Sequence, residues 1–209
     1  MIDAQLRRVL TAPLDRMATW LDLRWITPDR LTGLNLVLGL TSATFAAVQW
    51  WIPALIAWLL CRLADGLDGP LARRRIRRNP AAVESGRGGF LDVAADFVVY
   101  GATVIGVAVG VTTGYDAPWL PFLVVLFAYY INGSVLLAFS SIAEKQGRQL
   151  DDERSFSFLA GLAEGAETVL VHSLWLLFPM VAWQIAWVWA IVVLISATQR
   201  IIIGYRTLE

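Results

Sequence analysis

Charged residues are unevenly distributed along this chain, and long apolar stretches separate them. Four stretches contain no Asp, Glu, Lys or Arg: 32–61, 97–115, 117–143 and 168–199. A helix that crosses the hydrocarbon core of a membrane needs about 20 mostly apolar residues. Each stretch is about that long or longer, so the pattern predicts membrane-spanning helices, and the longest stretches contain parts of two.

The apolar pattern divides into six predicted spans. They cover residues 30–49, 53–75, 88–112, 118–142, 156–178 and 181–203. Before them, residues 1–28 mix apolar side chains with Arg7, Arg8 and Arg16, which is typical of an amphipathic helix at a membrane interface. Thr27-Pro28-Asp29 is expected to end that helix and begin the first span. The predicted fold is an all-α integral membrane protein with six transmembrane helices and an N-terminal interfacial helix, and 1–209 forms a single domain.

Composition agrees with this fold, and the charge distribution predicts its orientation. The chain is 57% hydrophobic and 16% charged, whereas a soluble domain has about 25% charged residues. Its formal net charge is zero, so bulk charge does not indicate a nucleic-acid partner. Arginine and lysine cluster before the first span, after the second and fourth spans, and at the C-terminal end. The positive-inside rule then places both termini and these connections on the cytoplasmic side of the inner membrane.

Four aspartates in the second and third spans are the strongest functional signal. Asp65 and Asp68 are three residues apart, and Asp92 and Asp96 are four apart, so each pair shares one helix face. A short connection joins the two spans, so both pairs are expected at the same depth. Unpaired carboxylates would repel one another, and Mg²⁺ or Mn²⁺, which favour oxygen ligands, would relieve that repulsion. An alternative is an ion pair between Asp65 and Arg62, one turn earlier.

The residues around these aspartates resemble the signature of the CDP-alcohol phosphotransferase family. The chain reads Asp65-Gly-Leu-Asp68-Gly-Pro-Leu-Ala-Arg and, after 14 residues, Gly-Gly-Phe-Leu-Asp92-Val-Ala-Ala-Asp96. The family pattern has the same aspartates, glycines and Ala-Arg pair at the same spacing. The 14-residue gap is longer than is usual in the family. Within the family, the chain looks similar to a little-characterised group of bacterial inner-membrane proteins.

The resemblance implies a reaction, its cofactors and most of its site residues. Members transfer a substituted phosphate group, usually phosphatidyl, from a CDP-linked donor to an alcohol and release CMP. In bacteria the donor is usually CDP-diacylglycerol. Two Mg²⁺ or Mn²⁺ ions are implied, with Asp96 also acting as the general base. One ion would be held by Asp65, Asp68 and Asp92, and the other by Asp65, Asp92 and Asp96. The implied nucleotide site consists of Asp65, Gly69, Ala72, Arg73 and Thr32. A homodimer embedded among membrane lipids is also implied.

The acceptor site rests on weaker signals. Glu164 and Glu167 lie on one face of the fifth predicted span, where they could contact the acceptor. Arg148, Arg154 and Arg200 are candidates for binding an anionic acceptor, such as a phosphorylated polyol. An alternative is that the glutamates pair with these arginines. A second alternative is that the arginines serve only as cytoplasmic anchors.

Two other functions are compatible with acidic residues inside a membrane. A cation transporter would use the aspartates as its ion site, but it would usually place them near the midplane between inverted repeats. The aspartates lie toward one side, and the chain shows no repeat. A catalytically silent scaffold would keep the fold, although the presence of every signature residue argues against it.

Three further residues are predicted to serve packing. Gly106 and Gly110 are spaced for close contact between helices, either within the chain or between two copies. His172 lies deep in the fifth predicted span and is expected to be a core histidine with one hydrogen bond. None of the three is predicted to take part in chemistry.

Overall fold

The computed structural model describes residues 2–23, 25–78, 86–146 and 165–208, with side chains from Thr11 onward. Within these ranges all regular structure is helical, which confirms the predicted all-α class. The elements are α1 (Ile2–Leu21), α2 (Pro28–Ala47), α3 (Trp51–Arg78), α4 (Arg87–Tyr115), α5 (Leu120–Lys145), α6 (Gly165–Leu177), the 3-10 turn Pro179–Val181 and α7 (Ala182–Thr207). Each predicted span coincides with one of α2 to α7, but the first part of the fifth span, 156–164, lies outside the described residues.

Three of the helices are long and apolar enough to cross a membrane by themselves: α4, α5 and the segment Pro179–Thr207, which contains α7. The other predicted spans are less clear from composition. Helix α2 begins with Asp29 and Arg30, and α3 carries charged residues along its second half. Helix α6, as described, has 13 residues, fewer than the roughly 20 that a span needs. The described residues therefore support a multi-pass protein and leave the number six as a prediction.

The start of α2 follows directly from local sequence. The Thr27 side chain accepts a hydrogen bond from the backbone N–H of Arg30, and Pro28 occupies the first turn of the helix. A threonine cap satisfies an otherwise unpaired N–H, and proline at the first helical position loses no hydrogen bond. The predicted start of the first span at Pro28 is confirmed, whereas the first helix already ends at Leu21, before the predicted break.

Helix α2 packs between α3 and α4, and its seam with α4 has the closest glycine contacts among the described residues. A Cβ atom built on Gly106 would collide with the backbone carbonyl of Ala43, and one on Gly110 would collide with that of Ala46. Only glycine permits two helix backbones to approach this closely. The predicted Gly106/Gly110 seam is therefore formed within the chain, between α4 and α2.

The remaining helices cover this core from the sides. Helix α5 packs mainly against α7. One apolar cluster, which includes Trp58, Phe122, Trp175 and Val193, joins α3 to α5, α6 and α7. The outward faces of the helices carry many exposed large apolar side chains, as expected of surfaces in contact with lipid.

Helix α1 is attached to α3 by apolar and ionic contacts. Ala18 packs with Leu67 and Leu71 in a small cluster of its own. Beyond the end of α1, the carboxylate of Asp22 accepts hydrogen bonds from Arg78 at 2.6 Å, Arg74 at 3.2 Å and Arg75 at 3.5 Å. The hydrogen bond from Arg78 is the main cause that lowers the pKa of Asp22. The predicted interfacial helix is thus held against the basic end of α3.

Candidate functional site

Three of the four predicted aspartates meet between α3 and α4, which both pack against α2. Asp65, Asp68 and Asp92 each bring one carboxylate oxygen to within 4.8 Å of the others. The three-residue spacing places the first two on one face of α3, and the antiparallel start of α4 brings the third opposite them. The predicted convergence of these three residues is therefore found. Asp96 does not belong to this group of oxygens.

Two side chains of α2 orient the α3 aspartates. The hydroxyl of Thr32 donates a hydrogen bond to Oδ2 of Asp68 at 3.0 Å, and the amide of Asn35 donates one to Oδ1 of Asp65 at 3.1 Å. Both α2 residues are buried, and they are three apart, so they face α3 together. The contact links Thr32, a predicted nucleotide-site residue, directly to the aspartate cluster.

Asp96 is bound by an arginine of α3. Nη1 of Arg62 lies 3.0 Å from Oδ1 of Asp96 and 3.6 Å from Oδ2 of Asp65. The alternative considered for Asp65, an ion pair with Arg62, is therefore present. The shorter contact is with Asp96, which lies 34 residues away and on another helix, so no local spacing pairs it with Arg62. The arginine thus touches one member of each acidic pair.

The guanidinium of Arg62 is held on several sides. Its Nη2 donates to Oδ1 of Asn35 at 2.7 Å, and its Nη1 donates to the hydroxyl of Tyr100 at 3.0 Å. It also lies 5.0 Å from the ring centre of Trp58 and 4.9 Å from that of Tyr100, within the range of a cation–π interaction. Only 7% of the arginine side chain is exposed, so these contacts fix its position.

Three of the predicted nucleotide residues, Gly69, Ala72 and Arg73, lie along α3 after Asp68. The side chain of Arg73 passes over Gly69, where an added Cβ would come within 3.3 Å of its Nη1. Arg73 is exposed, and Ala72 is half-buried beside it. The absence of a side chain at Gly69 leaves room for the arginine to lie along the helix next to Asp68.

The predicted acceptor residues are only partly described. Glu164, Arg148 and Arg154 lie outside the described residues. The carboxylate oxygen Oε2 of Glu167 is buried and has no hydrogen-bond partner within the described part of the chain. Nη1 of Arg200, which is 8% exposed, donates a 2.8 Å hydrogen bond to the side-chain oxygen of Asn132 in α5.

Asn35 and Tyr100 were not predicted as site residues. Their spacing could have indicated them. Asn35 is three residues after Thr32, and Tyr100 is four residues after Asp96, so each lies on the same helix face as a predicted site residue. Polar side chains within an apolar span need a partner, and the aspartates and Arg62 are the partners that they find.

The arrangement places a candidate metal-ion site, formed by three aspartates, next to the guanidinium of Arg62. Mg²⁺ binds oxygen at 2.0–2.1 Å, so ligands on opposite sides of one ion are about 4 Å apart. The three carboxylate oxygens lie within 4.8 Å of one another and would move inward to bind one ion, and all are hard oxygen donors of the type that Mg²⁺ and Mn²⁺ favour. Three carboxylates suit one such ion, which could in turn bind phosphate oxygens.

Sequence comparisons agree with this chemistry. The family model described as CDP-alcohol phosphatidyltransferase matches residues 25–196. The chain is 37% identical over 215 residues to the inner membrane protein YnjF of Escherichia coli K12, an alignment that covers 100% of this chain and 98% of that protein. It is 27% identical over 207 residues to the archaetidylinositol phosphate synthase of Pyrococcus horikoshii, covering 99% of this chain and 98% of the relative. The family match includes every described site residue from Thr32 to Glu167.

Proposed function

The chain belongs to the CDP-alcohol phosphatidyltransferase family, and from this premise we propose that it transfers a phosphatidyl group from CDP-diacylglycerol to an alcohol and releases CMP. Family membership supports phosphatidyl transfer in phospholipid synthesis. The observation that carries the proposal is the meeting of Asp65, Asp68 and Asp92 between α3 and α4. A donor that contains two lipid chains and a nucleotide suits a site formed by helices of a membrane protein.

Mg²⁺ or Mn²⁺ is the proposed cofactor, with Asp65, Asp68 and Asp92 as ligands. When bound, the ion would neutralise the diphosphate of the donor and stabilise the charge that develops on the departing CMP. The hydrogen bonds from Thr32 and Asn35 hold two of these carboxylates in place from α2. Such supporting contacts orient ligands and are important for affinity.

Asp96 is the proposed general base. An alcohol is a poor nucleophile at neutral pH, and a carboxylate at hydrogen-bonding distance can accept its proton as it attacks. The acceptor oxygen forms a bond to the phosphorus next to diacylglycerol, the bond from that phosphorus to the CMP oxygen breaks, and the proton goes to Asp96. Arg62 contacts Oδ1 of Asp96, and this contact orients the carboxylate.

Gly69, Ala72 and Arg73 are proposed to line the CDP site together with Asp65 and Thr32. The exposed guanidinium of Arg73 is suited to donate hydrogen bonds to phosphate oxygens. Its position above Gly69, next to Asp68, supports this role. An alanine at 69 would require the guanidinium of Arg73 to move by a few tenths of an ångström.

A phosphorylated acceptor is proposed, with Arg200 as the described candidate to bind its phosphate. Arg148, Arg154, Glu164 and Glu167 are proposed as further acceptor residues. The support is that one relative is a synthase of archaetidylinositol phosphate, whose name includes a phosphorylated polyol. The buried oxygen of Glu167, which has no hydrogen-bond partner among the described residues, would accept a hydrogen bond from an acceptor hydroxyl.

The proposed membrane arrangement follows the sequence prediction. The protein is a multi-pass inner membrane protein, as supported by its apolar helices and by its inner membrane relative. We propose a single domain with six spans, α1 on the cytoplasmic interface, both termini and the site on the cytoplasmic side, and a homodimer as the assembly. The basic end of α3, at Arg74, Arg75 and Arg78, would then face anionic lipid head groups.

The test is CMP release by the purified protein with CDP-diacylglycerol and Mg²⁺ or Mn²⁺ against a panel of phosphorylated and neutral alcohols. We expect release that one class of alcohol stimulates and that Asp96→Asn lowers by about 100-fold or more. Asp116→Asn, at the opposite end of α4, is the matched control and should retain activity.

Two results would contradict the proposal. Metal binding without CMP release for any alcohol would favour a different donor or a silent scaffold. Metal uptake into sealed vesicles that needs no lipid donor would favour a cation transporter.

A further inference from the structure

Arg62 is a buried cation that the proposed reaction leaves without a role beyond orienting Asp96. It precedes Asp65 by one helical turn and lies within α3, where an unneeded charge would be costly. Its guanidinium reaches from α3 to α4 and contacts both Asp65 and Asp96. An arginine in this position acts directly on the charge of the aspartate site.

The position of the guanidinium is fixed by three helices. Asn35 of α2 accepts a hydrogen bond from Nη2, Tyr100 of α4 accepts one from Nη1, and the ring of Trp58 in α3 faces the cation. Asn35 also donates to Asp65, so the same amide holds the arginine and a proposed metal ligand. Arginine keeps its charge in proteins, so a permanent positive charge stands beside the cluster.

Three of the four aspartates form one group, and the fourth lies apart from them. Asp65, Asp68 and Asp92 gather their oxygens within 4.8 Å, whereas Asp96 is outside this group and presents Oδ1 to Arg62. Two ions, one of them between Asp65, Asp92 and Asp96, would require a second cluster of the same kind. Within the described residues, the guanidinium is the cation that occupies the Asp96 side.

We propose that Arg62 takes the place of a second metal ion, so that the site holds one divalent cation between Asp65, Asp68 and Asp92. This inference rests on the proposed function. The four carboxylates carry four negative charges, and one divalent ion together with Arg62 balances three of them. Arg62 is thereby a positioning residue: it neutralises and orients Asp96 and leaves the other oxygen of that carboxylate for the acceptor proton.

The experiment is Mn²⁺ binding by the purified full chain, measured without substrate. Equilibrium dialysis gives the number of ions per chain, and electron paramagnetic resonance separates single Mn²⁺ ions from magnetically coupled pairs. We expect one uncoupled ion per wild-type chain. Asp96→Asn should keep that ion with its Kd changed by less than about threefold, because Asp96 is not a ligand, whereas Asp92→Asn should raise the Kd by about 100-fold.

Two substitutions of Arg62 test whether its charge is responsible. Arg62→Met removes the charge but keeps an unbranched chain, and it should admit a second, coupled ion through the released Asp96. Arg62→Lys keeps the charge and should bind one ion. If Arg62→Met does not fold, the comparison of wild type with Asp96→Asn still shows whether Asp96 binds an ion.

The two proposals fail in different ways. Two coupled ions per wild-type chain, with one lost in Asp96→Asn, would overturn the role of Arg62 and leave the proposed reaction intact. A single ion that is also present in Arg62→Met would overturn it too. A wild-type chain that binds no Mn²⁺ and releases no CMP would overturn the proposed function, and this inference with it.

Discussion

The two halves of the molecule treat buried polar groups in different ways. Helices α2 to α4 bring four carboxylates, an arginine and an asparagine together: Asn35 and Arg62 connect Asp65 to Asp96 by hydrogen bonds, and Asp68 and Asp92 lie beside Asp65. Helices α5 to α7 contain separate polar contacts: Arg200 with Asn132, and Tyr129 with His172 and Trp189. A network in which charges share partners can hold a site that gains or loses a cation. Hydrogen bonds between neutral side chains, such as those of Tyr129, mainly satisfy groups that would otherwise be unpaired in the membrane.

The helix seams of the two halves differ as well. Gly106 and Gly110 bring α4 against the backbone of α2. In the other half, an added Cβ on Gly204 of α7 would meet the ring of Phe139 at 3.2 Å. The atoms of a ring can shift by a few tenths of an ångström when the side chain turns. A helix backbone cannot move without shifting all its neighbours. The seam between α2 and α4 therefore tolerates an added side chain less well than the position of Gly204 does.

The largest expected effect is the loss of a metal ligand in the first half. Asp92→Asn should lower the rate of CMP release by about 10³-fold, since a bound ion supplies several kcal/mol of charge stabilisation and each 1.36 kcal/mol is tenfold. The rate is measured with CDP-diacylglycerol at saturating Mg²⁺. The control is Asp116→Asn, directly after the same helix. If Asp92→Asn were as active as Asp116→Asn, the three aspartates would not take part in the reaction.

The difference between the seams is tested by three alanine substitutions. Gly106→Ala should destabilise the protein by about 1–3 kcal/mol, because it forces α2 and α4 apart. Gly204→Ala should cost less than about 1 kcal/mol, because Phe139 can adjust. Gly101→Ala, with open space around its Cβ, should be neutral or stabilising by up to about 1 kcal/mol. Thermal unfolding in detergent gives the ranking, and an equal loss for all three would contradict it.

In the second half, Arg200 is expected to act on acceptor binding and not on the chemical step. Arg200→Gln should raise KM for a phosphorylated acceptor by about 10-fold or more, since a hydrogen bond to a charged group contributes about 1.5–3 kcal/mol. The value of kcat should change little. Arg206→Gln, near the end of the same helix, is the control. A fall in kcat with unchanged KM would place Arg200 in the chemistry of the first half.

The smallest expected effect concerns the attachment of α1. The pKa of Asp22 is lowered from 3.8 by its arginine partners, chiefly Arg78, so this carboxylate stabilises the folded state above pH 3.8. That contribution is lost as the pH falls below 3.8 and through the lowered pKa of the folded state. Asp22→Asn should therefore lower Tm at neutral pH, and the difference from wild type should shrink in acid.

The control for this effect is Asp15→Asn, an exposed position of α1. Its Tm difference from wild type should be small at neutral pH. A difference for Asp22→Asn that stays constant down to about pH 2, well below an ordinary aspartate pKa, would contradict the ionic attachment of α1.

The helices and the residues of the candidate site were largely predictable because their causes are local. Thr27 and Pro28 define the start of α2 through contacts within one turn. The spacing of Asp65 and Asp68 fixes a shared helix face wherever the helix lies. His172 was predicted as a core histidine with one hydrogen bond, and it is fully buried with a 2.9 Å hydrogen bond to Tyr129.

Sequence by itself determined the helical class, the start of α2 and the three aspartates that meet, because capping, periodicity and the cost of buried charge act within single helices. Only the tertiary structure decided that Arg62 contacts Asp96 more closely than Asp65, that Asn35 joins the site, and that Gly106 packs on α2 of the same chain. Each of these contacts joins residues about 30 to 60 positions apart, and it depends on the rotation and depth of one helix relative to another. Those are set by packing of whole helix faces, which no local pattern specifies.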